Sequence, residues 1–253
     1  MSGIQDVIEK IDISVFDRIS SQTGAGDRRS ILKLQKLVRS KGDYAYLEIG
    51  SFMGGTLQSF YPDPLCKKIF SIDLRPGSVR DERGKSIKYE RYSAGEMQSA
   101  LMKAWPEVQH SKIVSFESDA SDVDVGEINP PPQLCFIDGE HTNRAVVSDF
   151  EFVYEVCADD AVVFFHDANI VMDGIQQITS KLLRDGKRFE SCVLEDNIFV
   201  IFLEQSADDL SSIVAEAIDH ENYFRAARKR LKRQQLRSRY PAVFKVWDKL
   251  KGR

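Results

Sequence analysis

The chain has 253 residues, a formal net charge of −4 and 42% hydrophobic residues, which is enough for one large domain with a sizeable core. No run of about 18 apolar residues occurs, which argues against a membrane-spanning helix. Met1-Ser2-Gly3-Ile4-Gln5-Asp6 lacks the basic-then-apolar pattern of a secretory leader, so a cytoplasmic protein is expected.

Four cysteines, Cys66, Cys135, Cys157 and Cys192, are widely spaced and form no C-x-x-C pair, which argues against disulfide or metal roles for them. The charge is uneven. From Arg225 to Arg253 there are 12 Lys/Arg against one acid, Asp248, leaving a body of about −15. An acidic body disfavours a nucleic-acid enzyme, whose working face must attract phosphates.

In chain order, residues 3–40 are expected to be helical and to lie outside any sheet. One amphipathic run covers Ile4–Ile19, and a second is capped by Asp27 with Ile31, Leu34, Leu37 and Val38 at helical spacing. From Tyr44 strands and helices alternate. Strands are predicted at 44–49, 68–73, 112–117, 133–138, 161–166, 189–194 and 198–203, and helices at 55–61, 94–105, 143–157, 171–185 and 207–236. Such alternation implies a parallel, doubly wound α/β sheet. The link between the last two strands is too short for a crossover helix, so one strand must run antiparallel. The division expected is an N-terminal helical cap (1–40), a ligand-binding core (41–205) and a basic helical extension (206–253). The extension is suited to packing on its own acidic body or on another subunit, making a homo-oligomer; a membrane surface is the weaker reading.

The most informative stretch is Tyr44–Asp73. A strand runs into the turn Gly50-Ser51-Phe52-Met53-Gly54-Gly55-Thr56, and the next strand ends in Asp73. An acid at that tip is placed to accept hydrogen bonds from ribose hydroxyls. Glu48, Gly50 and Gly54 give E-x-G-x-x-x-G instead of the dinucleotide G-x-G-x-x-G. An acid beside the turn would repel a pyrophosphate but suit an ammonium group. This pattern resembles motif I of the class I S-adenosylmethionine (SAM) methyltransferases. The resemblance implies a Rossmann-like seven-stranded sheet with an antiparallel last strand. It also implies cofactor contacts from Glu48, Gly50, Ser51, Gly54, Gly55, Asp73, Asp119, Ala120 and Asp138. The long polar stretch Arg75–Lys85 is expected to form a substrate lid or recognition loop.

Phe136-Ile137-Asp138-Gly139-Glu140-His141 and Val163-Phe164-Phe165-His166-Asp167 end the fourth and fifth predicted strands. Acids and imidazoles at the carboxyl ends of neighbouring parallel strands converge on one crevice. These segments resemble the methyltransferase-24-like subgroup and the macrolide sugar O-methyltransferases. That resemblance implies His141 as general base and Asp138 and Asp167 as ligands of a divalent metal, magnesium or manganese. His166 stands where those enzymes carry an acid. Either the metal is softer, or His166 is not a ligand, or the site is metal-free and Asp138 orients His141. The expected activity is methylation of a hydroxyl on a small molecule or sugar. The alternatives are methylation of a small amine and a non-catalytic SAM-binding scaffold; a nicotinamide dehydrogenase is disfavoured by the glycine spacing.

Overall fold

The computed structural model describes residues 3–75, 77–108, 112–205, 210, 213, 215, 217, 218, 220–241 and 244. The elements are α1 (Ile4–Glu9), α2 (Ala25–Arg39), β1 (Tyr44–Ile49), β2 (Cys66–Ile72), β3 (Ser78–Arg80), β4 (Ser86–Lys88), α3 (Ala94–Ala104), β5 (Ile113–Phe116), β6 (Leu134–Ile137), α4 (Asn143–Val156), β7 (Val162–Phe165), α5 (Met172–Arg184), β8 (Phe189–Val193), β9 (Phe199–Leu203) and α6 (His220–Arg239).

Seven strands form one sheet in the order β5-β2-β1-β6-β7-β9-β8. Neighbours from β5 to β7 pair in parallel, whereas β9 runs antiparallel to both β7 and β8. The chain starts in the middle at β1 and winds first one way and then the other. The crevice between the carboxyl ends of β1 and β6 is therefore the topological switch point, where ligands of open α/β sheets bind. This is the Rossmann-like architecture expected from the sequence.

Alternation within strands builds two cores. Tyr44 and Tyr46 of β1 face one side with Phe136 and Phe164, under α1 to α3. Ala45, Leu47 and Ile49 face the other, with Ile137 and Phe165, under α4, α5 and α6. Both faces of a central parallel strand are covered, so nearly every position in it is apolar.

Several expected elements differ. The run Ile4–Ile19 is broken: Ile11 adopts φ 53°, and a short 3-10 turn, Ile13–Phe16, follows α1. Asp27 is not the cap residue of α2 but lies one turn inside it, accepting from the Gly24 N–H at 2.8 Å. The helix expected at 55–61 is only a 3-10 turn, Thr56–Gln58. The stretch after Asp73 forms the hairpin β3–β4.

The helix expected at 207–236 is shorter at its start. Ile218 makes an antiparallel bridge to Val193, and α6 begins at His220. Most of 206–219 and, apart from Pro241 and Phe244, the segment beyond Tyr240 lie outside the described residues. α6 turns Phe224, Ala227 and Leu231 into the core, and Arg228 pairs with Asp173 at 2.8 Å. This part of the basic extension thus docks on its own body. Among the described residues no helix is long and apolar enough to cross a membrane.

Candidate active site

A cavity of about 440 Å³ opens at the switch point. Its floor is the turn after β1. Gly50 has φ 91°, and a Cβ there would lie 2.2 Å from the Asp138 carbonyl oxygen, so only glycine lets β1 and β6 end side by side. Gly54 has φ 78° and faces the Met97 side chain, not the cavity. Apart from Gly54, every residue expected to bind cofactor or metal, and His141, line this cavity.

The turn is held by side chains from the next strand. Asp73 accepts from the Phe52 N–H at 2.7 Å and the Arg75 N–H at 2.7 Å. Ser51 Oγ lies 2.5 Å from Ser71 Oγ. Beneath the turn, Glu48 is 1% exposed and accepts from the Tyr46 and Thr56 hydroxyls. Burial drives its carboxyl up to about 8, against the pull of those two hydrogen bonds. A cationic group bound there would favour the ionised form and reverse that shift. Asp119 accepts from Ser121 N–H and Oγ, capping the turn that carries buried Ala120.

The second cluster joins the ends of β6 and β7. Asp138 Oδ1 lies 2.9 Å from His166 Nδ1 and 3.3 Å from His141 Nε2. His141 Nδ1 lies 3.0 Å from Asp167 Oδ2, and His166 Nε2 lies 3.2 Å from Asp27 Oδ2. Each imidazole is thus flanked by two carboxylates. Burial works against the charged form of His141, but the neighbouring Asp138 and Asp167 carboxylates outweigh it and raise its pKa to about 9. The imidazole is therefore not near its ordinary value of about 6.5. Burial likewise opposes ionisation of Asp138, yet the charges and hydrogen bonds of His166 and His141 hold it at about 2.

Sequence reasoning missed three of the acids that line the cavity, Asp27, Glu90 and Asp149. Asp27 reaches the site from the N-terminal cap, and nothing local marks it. Asp149 lines the cavity from α4; an acid within the apolar stripe Val146, Phe150, Val153 was the available signal. The hairpin β3–β4 supplies Val79, Arg83, Ile87 and Tyr89 to the wall. It is tied down by Glu82, whose N–H donates to the His141 carbonyl at 3.0 Å and whose carboxylate accepts from the Asn143 N–H.

Residues 47–168 match the family model Methyltransf_24, described as a methyltransferase domain. The core is methyltransferase-like. The sheet resembles that of the O-methyltransferase TomG from Streptomyces achromogenes, involved in tomaymycin synthesis and solved with SAM: TM-score 0.50, 15% identity, 79% of this chain and 90% of that one. It also resembles the calicheamicin methyltransferase CalS11, with TM-score 0.52, 13% identity and coverage of 80% and 93%. A putative O-methyltransferase from Klebsiella pneumoniae gives TM-score 0.51, 12% identity and coverage of 79% and 90%. At these identities the likeness is one of fold. Among curated proteins, an uncharacterized protein, R132, of Acanthamoeba polyphaga mimivirus is 24% identical over 129 residues, 50% of this chain and 52% of that protein. The chain spans about half the length of the curated relative it matches.

The cluster in this methyltransferase-like core fits a divalent cation. Asp138, His141 and His166 offer donor atoms within 4.8 Å of one another. Both Nδ1 atoms are buried near carboxylates without the alignment a hydrogen bond requires, and Asp27 Oδ1 is buried with no partner. The trio brought together includes His141; Asp167, expected as a ligand, lies 3.9 Å from His166 Nδ1 and holds His141 instead. Two imidazoles beside carboxylates suit manganese, iron or zinc better than magnesium.

Proposed function

We propose that the chain is a SAM-dependent methyltransferase acting on a hydroxyl of a small molecule or sugar. The observation that carries this reading is the convergence of Glu48, Asp73, Asp119 and Asp138 on one cavity at the switch point. The two arginines that line it are already engaged: Arg75 with the Phe52 and Tyr92 carbonyls, Arg83 with Asp81. Such a cavity favours a cationic ligand over a diphosphate.

SAM supplies a methyl group on a positively charged sulfur that leaves readily. The protein's part is alignment and removal of the acceptor proton. Glu48 would face the ammonium of the methionine tail, Asp73 the ribose hydroxyls, and Asp119 with the Ala120 N–H the adenine. Once its own proton has left, which calls for alkaline pH because Asp138 and Asp167 hold it charged up to about 9, His141 would take the proton from the acceptor. The same two acids that fix its ring also stabilise the imidazolium it becomes. Asp138 and His166 would hold a divalent cation, whose chemistry is to lower the pKa of a bound hydroxyl, while Asp167 stays on His141 Nδ1. The hairpin β3–β4 would cover the acceptor and exclude water. In this reading the cap (1–40) belongs to the site, because Ser20 to Thr23 and Asp27 line the cavity.

Transfer of a radiolabelled methyl group from SAM to a panel of sugars and phenols tests the reading, run with wild type and His141→Ala. Labelling lost in the variant with SAM binding kept supports it. Equal labelling by both proteins removes His141 as the base. SAM binding without labelling of any acceptor favours the scaffold.

A further inference from the structure

Asp149 sits on the buried face of α4, one turn from Val146 and Val153, and is 7% exposed. A carboxylate in that position costs free energy unless something compensates it. Among the described residues no group donates a hydrogen bond to it and no cation faces it. The titratable groups that do face it are Asp119, from the turn after β5, and Glu140, from the turn after β6. Both are acids. Burial first, and then these two charges, raise its pKa to about 7.

The carboxyl is aimed at space. Its Oδ2 would lie 3.2 Å from a Cβ on Gly139, so glycine at 139 leaves it room. It opens into the cavity beside Asp119, Ala120 and Gly139. In the SAM reading Asp119 and the Ala120 N–H hold the adenine, so Asp149 faces the part of the cavity where the purine lies.

We propose that Asp149 reads the purine of the cofactor as a neutral carboxylic acid, accepting from the exocyclic amino group and donating to the adjacent ring nitrogen. An ionised carboxylate only accepts, and Asp119 already provides that beside it. A protonated acid offers a donor and an acceptor side by side, the complement of the amino group and ring nitrogen on either edge of adenine. Gly139 and the apolar stripe of α4 hold the carboxyl in the neutral state that this pairing needs. The assignment rests on the SAM reading given above, and its test separates the two.

The test is calorimetric titration of the full chain with S-adenosylhomocysteine at about pH 6 and pH 8, for wild type, Asp149→Asn and Asp149→Ala. Circular dichroism checks that each protein is folded. Wild type is expected to lose about ten-fold in affinity over this range relative to Asp149→Asn, as the neutral fraction drops from about nine-tenths to about one-tenth. Asp149→Asn keeps a donor and an acceptor, so it should match the wild type at pH 6 and hold that affinity at pH 8. Asp149→Ala should bind at least about five-fold more weakly at pH 6. Glu48 also titrates in the upper part of the range, but it is common to all three proteins and cancels in the comparison. Superimposable wild-type and Asp149→Asn profiles would overturn the assignment, as would full affinity in Asp149→Ala. If wild type takes up no S-adenosylhomocysteine at either pH, the methyltransferase reading falls and this inference with it.

Discussion

His166 Nε2 lies 3.2 Å from Asp27 Oδ2, joining the end of β7 to the first turn of a helix 139 residues earlier in the chain. Asp27 also accepts from the Gly24 N–H with that same oxygen, so its carboxylate is fixed from both sides. The helical cap thereby sets the orientation of an imidazole in the cluster. Partners of this kind around a metal ligand change metal affinity about 10–100-fold when removed.

Asp27→Ala is accordingly expected to weaken manganese binding about 10–100-fold while leaving S-adenosylhomocysteine affinity unchanged. Titration of the purified protein with manganese chloride, followed by calorimetry, measures this. A variant that binds manganese as wild type does would remove Asp27 from the cluster.

For His141 the expected loss is in the chemical step. His141→Ala should lower the methyl-transfer rate by about 10²–10⁴-fold with little change in SAM affinity. Single-turnover kinetics with pre-bound SAM separates the two quantities. A variant that loses SAM binding instead would mark His141 as a cofactor residue.

Glu48 links stability to pH. An ordinary glutamate titrates near 4.5, and this one at about 8 in the folded chain, so between those values the folded state holds a proton that the unfolded state has released. Stability should therefore fall as pH rises from about 5 to about 8, by an amount on the order of a few kcal/mol. Asp149, raised to about 7, adds to the fall with the same sign. Urea denaturation at the two ends of that range is expected to show a smaller fall in Glu48→Gln. An unchanged pH dependence in that variant would contradict the assignment.

The glycine turn gives a graded comparison. In Gly50→Ala the new Cβ would meet the Asp138 carbonyl at 2.2 Å, a backbone atom fixed between two strands. In Gly54→Ala it would meet Met97 Cγ at 2.8 Å, a flexible side chain that can shift. Both positions also carry positive φ. Gly50→Ala should lose about 4 kcal/mol or more, and Gly54→Ala distinctly less. Chemical denaturation of both variants decides the ranking, and equal losses would contradict it.

How much of this was legible in the sequence follows from how local each cause is. Tyr44–Ile49 reads as a buried strand because both faces are covered, and Asp73, Asp138 and His166 lie at or just past strand ends, where alternation with helices places them. What was not legible depends on contacts distant in sequence. Asp27 looks like a helix cap until β7 brings His166 against it. Ile218 continues a helical pattern, yet pairs with Val193 because β8 offers a free edge there. The polar stretch after Asp73 carries no strand signal beyond Ser78–Arg80 and Ser86–Lys88, whose pairing depends on the turn at Asp81 and Gly84.

In the methyltransferase reading proposed above, the acid-lined crevice between β1 and β6 takes an S-adenosyl compound and not a pyridine dinucleotide. Calorimetry of the full chain against SAM and NAD measures this most directly. Saturable SAM binding that weakens in Asp73→Ala, with no heat from NAD, is the predicted result. Binding of NAD with no response to millimolar SAM would contradict it.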